Sequence, residues 1–171
     1  HRDLHSFPTR RSSDLIVSLS VLQKKVSVLR KAGKTIIFTN GCFDLLHVGH
    51  VSYLEEMKSK DGVVIVGLNS DASIKKIKAK GRPIQPQNAR ARVLAALECV
   101  DYVTIFSQET PYALIKALQP DILVKGADWK GKAVVGEDIV RAKGGEVKLV
   151  SYVDHFSTTR IIKKILTQCA V

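Results

Sequence analysis

The chain has 171 residues, enough for one domain with a core of ordinary size and too few for a second full one. Its 27 basic against 16 acidic residues give a formal charge of +11, which favours acidic partners such as nucleotides, nucleic acid or anionic lipid without choosing among them. Cys42, Cys99 and Cys169 are too scattered for a disulfide framework or a CxxC metal site, and no apolar stretch approaches the roughly 20 residues that cross a bilayer, so a cytoplasmic setting is expected.

Residues 1–15 lack useful periodicity, and their Phe7-Pro8-Thr9-Arg10-Arg11-Ser12-Ser13 run resembles translated sequencing-adapter read-through. They are read as a non-native segment, with 16–171 as a single domain; the natural start is then expected to be missing, which leaves open an upstream domain lost with it or encoded separately. Leu19, Leu22, Val26 and Leu29 recur at helical spacing within Ile16 to Lys31, and Gly33 closes that helix. Strands are expected at Thr35 to Thr39, Val63 to Leu68, Tyr102 to Phe106, Asp121 to Val124 and Val147 to Val150. Helices are expected between and after them, at Val51 to Ser59, Asn88 to Glu98, Pro111 to Leu118, Gly136 to Lys143 and Ser157 to Leu166. The dense basic stretch Lys75, Lys76, Lys78, Lys80 and Arg82 reads as a mobile loop able to close over a polyanion.

Near-continuous apolar strands such as Val63-Val64-Ile65-Val66 imply burial on both faces, and their alternation with helices implies right-handed parallel crossovers. The fold class is therefore α/β: a Rossmann-like, doubly wound five-stranded parallel sheet with helices on both faces. Such sheets bind ligands beyond the carboxyl ends of their strands.

The candidate motifs fall at those ends. After the first strand comes Thr39-Asn40-Gly41-Cys42-Phe43-Asp44, then His47-Val48-Gly49-His50. Two imidazoles three residues apart at a helix start share a face near free N–H groups that attract phosphate, and Gly49 keeps the turn between them clear. A zinc pair or two structural histidines are the alternatives. Ser157-Thr158-Thr159 opens the last helix, where one hydroxyl suffices for capping and three suit a phosphate. Arg90 and Arg92 lie in a helix, where an arginine is ordinarily solvated. After the fourth strand, in Lys125-Gly126-Ala127-Asp128-Trp129, Gly126 has room for a nucleobase and Asp128 has acceptors for it or for a ribose; a capped turn under a tryptophan is the plainer reading.

These motifs, with Asn69-Ser70-Asp71, Gly81-Arg82-Pro83, Val100-Asp101-Tyr102-Val103, Thr110-Pro111 and Pro120-Asp121, occur in the order and spacing of a known family. Over about residues 20–166 the chain resembles the HxGH nucleotidyltransferase superfamily, and within it the heptose 1-phosphate adenylyltransferases that make ADP-heptose for lipopolysaccharide. The resemblance implies that His47 and His50 hold the triphosphate and stabilise the transition state, with Gly49 between them and backbone N–H groups of Cys42 and Phe43 beside them. It implies that Arg90 and Lys78, with Lys80, neutralise the leaving pyrophosphate or the sugar phosphate, and that Ser157, Thr158 and Thr159 bind the β- and γ-phosphates. Gly126, Asp128 and Glu137 fall near base and ribose, and Asn40, Asp44, Asn69 and Lys125 near the sugar phosphate. ATP and heptose 1-phosphate are the implied substrates, Mg²⁺ arrives on the triphosphate, and no metal ligand is expected in the protein, nor a nucleic-acid or membrane partner. Relatives occur alone or fused behind a ribokinase-type sugar kinase and are commonly homo-oligomers.

The chain departs from the family at His155, where glycine is common. Asp128-Trp129-Lys130-Gly131-Lys132 also resembles glycerol-3-phosphate cytidylyltransferases, but Cys42 stands where those carry threonine, and their arginine shortly before Ser-Thr-Thr is missing. A non-catalytic nucleic-acid module would be expected to interleave aromatics with its basic patch, and the basic stretch has none.

Overall fold

The computed structural model describes residues 11–59, 61–151 and 156–168, apart from the side chain of Asp128. His155, Cys169 and most of the segment read as non-native lie outside the described residues. Five strands, β1 Thr35–Gly41, β2 Gly62–Asn69, β3 Tyr102–Phe106, β4 Ile122–Gly126 and β5 Glu146–Val150, form one parallel sheet in the order β3-β2-β1-β4-β5. The chain runs outward from β1 to β3 and then returns to β4 beside β1, so strand order reverses between β1 and β4. Their carboxyl ends are where a doubly wound sheet opens a crevice.

Helices α1 Leu19–Lys31, α5 Tyr112–Leu118 and α6 Glu137–Ala142 cover one face, while α2 Val48–Met57 and α4 Gln87–Ala95 cover the other. Alternation within the central strands sorts their side chains: Ile36, Phe38, Val63 and Ile65 pack under α1 and α5, and Ile37, Val64, Val66 and Leu68 under α2 and α4. Every residue of β2 is buried, which matches its unbroken apolar run. Ser18 caps α1 by accepting the Val21 N–H, and Gly33 at φ +74° lets the chain leave the helix. Leu15 and Ile16 also rest on the α2–α4 side of the core, and Ile16 bridges Val103 on the edge strand.

Two carboxylates tie the amino ends of the strands. Asp121 Oδ2 accepts the Ile36 N–H at 2.8 Å, and Asp101 Oδ2 accepts the Val64 N–H at 2.7 Å. Burial opposes ionisation of Asp121, but Lys143, the Ile36 amide and Arg30 outweigh it and lower its pKa.

The basic stretch is not one loop. Helix α3, Asp71–Ile77, takes Lys75 and Lys76 into its last turn, because Ser70 Oγ caps it by accepting the Ser73 N–H at 3.1 Å and Ile74 is fully buried. Helix α2 likewise starts at Val48, three residues earlier than Val51, so His47 is its N-cap residue and His50 lies in its first turn. The last helix, α7, spans Thr158–Gln168. Among the described residues no helix is long and apolar enough to cross a membrane.

Candidate active site

A cleft of about 600 Å³ opens at the carboxyl ends of β1 and β4. That volume suits a nucleotide-sized ligand. One wall is the turn after β1 and the start of α2. Lys125, Gly126 and Trp129 after β4 and residues 156–160 at the start of α7 complete the lining.

His47 and His50 stack at 3.8 Å between ring centroids, 23° from parallel, and the Phe43 ring lies 5.0 Å from that of His50. Stacked rings do not aim their lone pairs at one point, unlike a metal-binding pair. The glycine between them has a steric cause: a Cβ on Gly49 would stand 3.1 Å from His47 Nδ1. Gly41 is constrained in the same way, since a Cβ there would meet the Phe43 ring at 2.9 Å. Phe43 itself sits at φ +43°, a conformation that side chains other than glycine rarely take, and this turns the chain sharply beneath the histidines.

Burial holds the His50 pKa down to about 4, helped by the neighbouring charge of His47 and opposed by the Leu45 carbonyl. Burial lowers His47 as well. Both rings are therefore neutral near pH 7, each offering one N–H donor, and a polyanion brought against them would raise their proton affinity. The Cys42 thiol is pushed up by burial, against the pull of Lys78, Arg90 and Arg82, so it is a poor nucleophile.

Several expected residues do meet in the cleft. Asn40, Cys42, Phe43, His47, His50, Asn69, Lys78, Lys125, Gly126, Ser157, Thr158 and Thr159 all line it. Thr158 Oγ1 donates to the Leu45 carbonyl at 3.3 Å, which joins the start of α7 to the turn before α2. Lys125 is buried, with its ammonium on Asn40 Oδ1 and over the Trp129 ring at 5.3 Å.

Three expected side chains are not among those lining the cleft, and a fourth, that of Asp44, lines it with its oxygens already engaged. Arg90 does not reach the cleft: its wholly buried guanidinium donates to the Gln85 carbonyl, the Cys42 carbonyl and Asp71 Oδ1, at 3.0, 2.6 and 2.7 Å. Asp44 borders the cleft but spends its oxygens on its own framework, accepting from Arg82 Nε and from the Ile84 and Gln85 amides. Burial alone would raise its pKa; those amides and Arg82 lower it instead, so the carboxylate stays ionised as an anchor for the loop. Glu137 lies outside the cleft and accepts from Arg141 on the surface of α6. Lys80 is exposed and does not line the cleft, although Lys78 and Arg82 on either side of it do. The side chain of Asp128 lies outside the described residues.

Sequence reasoning missed four lining groups, Tyr53, Ile77, Phe156 and Arg160, while Arg82 lines the cleft from the stretch read as able to close over a polyanion. Tyr53 could have been found from its place one turn after His50, where it shares a buried 2.7 Å hydrogen bond with Thr39. Among the described residues no three His, Cys, Asp or Glu side chains converge as a metal site.

A family model described as cytidylyltransferase-like matches residues 38–165. Proteins named Bifunctional protein HldE are similar in sequence: that of Wolinella succinogenes is 50% identical over 162 residues, which is 95% of this chain and 33% of the relative. The one from Aliarcobacter butzleri is 54% identical over 154 residues, 90% of this chain and 32% of the relative. The chain thus spans about a third of the length of these curated relatives. A lipopolysaccharide core biosynthesis protein from Thermoplasma volcanium shares the fold, with a TM-score of 0.58 at 24% identity over 71% of this chain and 98% of that one. So does a pantoate-beta-alanine ligase from Francisella tularensis, with a TM-score of 0.59 at 15% identity over 90% of this chain and 79% of that one.

Proposed function

The chain belongs to the cytidylyltransferase-like family, and from that premise we propose that it joins the AMP moiety of ATP to heptose 1-phosphate, giving ADP-heptose and pyrophosphate. The observation that carries this reading is the stacked, neutral His47–His50 pair at the start of α2, lining one cleft together with the hydroxyl-rich start of α7. Two helix N-termini directed at one space favour a polyphosphate. Residues 16–171 act in this reading as a single catalytic domain in the cytoplasm.

The sugar 1-phosphate oxygen attacks the α-phosphorus in line, the new P–O bond forms as the bond to the β-phosphate bridge breaks, and pyrophosphate leaves with the electron pair. The attacking phosphate is already ionised near neutral pH, so no protein nucleophile or general base is required. The protein contributes position and charge. His47 and His50 donate N–H hydrogen bonds to phosphate oxygens, Lys78 balances charge at the rim, and Ser157, Thr158 and Thr159 hold the β- and γ-phosphates. Mg²⁺ enters as part of the Mg-ATP substrate. Asn40, Asn69 and Lys125 bind the sugar-phosphate side, and Gly126 leaves room for the base.

The similarity to relatives named as bifunctional supports a partnership with a second activity, which for this chain means a sugar kinase that supplies the phosphorylated sugar. The test is pyrophosphate release from ATP, CTP and GTP against heptose 1-phosphate and glycerol 3-phosphate with Mg²⁺. Turnover confined to ATP with heptose 1-phosphate is expected. Turnover with CTP and glycerol 3-phosphate would move the chain to the cytidylyltransferase branch, and silence in every combination would overturn the reading.

A further inference from the structure

Asn40 and Asn69 each bring a side-chain amide to the cleft, and an amide has a donor end and an acceptor end. Their neighbours fix which end each one presents. The Lys125 ammonium can only donate, so Asn40 turns Oδ1 toward it and keeps its two Nδ2 hydrogens for a ligand. At Asn69 the order is reversed. The Gln108 carbonyl can only accept, so the Ser73 hydroxyl gives its proton there, at 3.1 Å, and takes a hydrogen from Asn69 Nδ2 at 2.9 Å. That leaves Asn69 Oδ1 for a ligand. Among the described residues neither remaining end, Asn40 Nδ2 or Asn69 Oδ1, has a hydrogen-bond partner.

The two amides stand on one face of the sheet. Alternation along the strands puts Asn40 in the row of Ile36 and Phe38, Asn69 in the row of Val63 and Ile65, and Lys125 in that of Leu123, all on the side covered by α1 and α5. Taken in the order β4, β1, β2, the row reads ammonium, amide N–H and amide carbonyl, across two strand spacings of about 4.8 Å each. A phosphate dianion accepts hydrogen bonds and has no hydrogen to give, so it suits the amide N–H groups of Asn40 and is turned away by the carbonyl of Asn69. A hydroxyl can donate, and it suits Asn69.

We propose that Asn69 is a specificity-determining residue, accepting a hydrogen bond from a hydroxyl of the acceptor sugar while Asn40 donates to the phosphate of the same molecule. The acceptor class is then a phosphorylated polyol. A phosphate that carries no hydroxyl within reach of β2 leaves the carbonyl of the buried Asn69 unpaired, and the site discriminates against it for that reason. This rests on the nucleotidyl-transfer reading above and divides its sugar-phosphate side into a phosphate end and a hydroxyl end.

The test uses the whole chain, unaltered and as Asn69→Leu and Asn69→Ala, with two acceptors: heptose 1-phosphate, and methyl phosphate, which keeps the phosphate and has no sugar hydroxyl. Binding of each acceptor and of ATP is measured by calorimetry, kcat/KM by pyrophosphate release, and folding by thermal melts; Asn69→Ala adds no bulk and serves where leucine does not fit. Both variants are expected to shrink the preference for heptose 1-phosphate over methyl phosphate by about tenfold or more, as loss of a buried partner for a hydroxyl does. A general loosening of the fold would weaken both acceptors alike. An unchanged preference in a folded variant, or a loss that falls on ATP instead, would overturn the assignment while leaving the transfer reading intact. If the unaltered protein releases no pyrophosphate but its binding preference still depends on Asn69, the reaction falls and the hydroxyl site stands.

Discussion

Arg90 Nη1 donates to the Cys42 carbonyl at 2.6 Å, so a side chain of α4 holds the turn that lines the cleft. The same guanidinium reaches Gln85 in the basic loop and Asp71 at the start of α3. The turn after β1, the start of α3 and the residues before α4 thus share one buried cation.

Arg90→Ala should therefore cost about 3 kcal/mol of stability in urea unfolding, since it removes the donor from two carbonyls and a carboxylate at once. Asp71 is partly exposed, so the carbonyl acceptors should account for most of that loss. Under conditions where the variant remains folded, kcat should fall more than ATP affinity, because the residue positions the cradle without touching substrate. A variant with unaltered stability would remove this role.

His50→Ala should leave the fold intact and lower turnover by about 10² to 10³, the usual cost of removing a donor aimed at developing charge. Steady-state kinetics beside a thermal melt separates the two effects. Unchanged turnover would take His50 off the list of reacting groups.

The depressed histidine pKa values give a pH signature to the ligand-free protein. Between about 4 and the ordinary histidine value of 6.5, the unfolded chain binds a proton at residue 50 that the folded chain refuses. Stability should accordingly fall as pH drops through that window, and His50→Gln should flatten the slope of Tm against pH. His47 is shifted in the same direction and adds to it. Asp44 and Asp121 are lowered carboxylates, whose contribution is present above the usual carboxylate range and disappears below it, so their loss comes at more acid pH. Identical profiles for the two proteins would count against a buried neutral His50.

Gly49→Ala separates stability from activity. Alanine is the better helix former by up to about 1 kcal/mol, yet its Cβ would press on the His47 ring at 3.1 Å. The melting temperature should hold or rise while turnover falls about tenfold from the displaced imidazole. Full activity would show that the ring can move aside without consequence.

Much of this was legible in the sequence because burial leaves a plain record. The unbroken Val63-Val64-Ile65-Val66 run and the 3–4 spacing of Leu22 and Val26 correspond to the central strand and a covering helix. The histidines, the final hydroxyls and Lys125 were legible as a group through their position after strands. Side-chain direction was not. Arg90 sits at the right distance from the motif, but only the packing of α4 shows that it faces inward. Asp44 reads as a polar residue beside a site, and the loop that consumes its oxygens lies 38 or more residues away. Helix α3 was hidden because its lysines merge with the loop beyond it. Asp101 and Asp121, which belong to the recurring motifs, hold the amino ends of strands at the opposite end of the sheet from the cleft.

Helix α7 has no fully buried side chain, yet its first turn is fastened to the Leu45 carbonyl and lines the cleft. A helix that buries so little of its surface opens at low free energy. Nucleotide bound between α2 and α7 would then serve as interior for a helix that has almost none of its own, so that occupancy of the cleft and order at the carboxyl-terminal end of the chain become a single equilibrium.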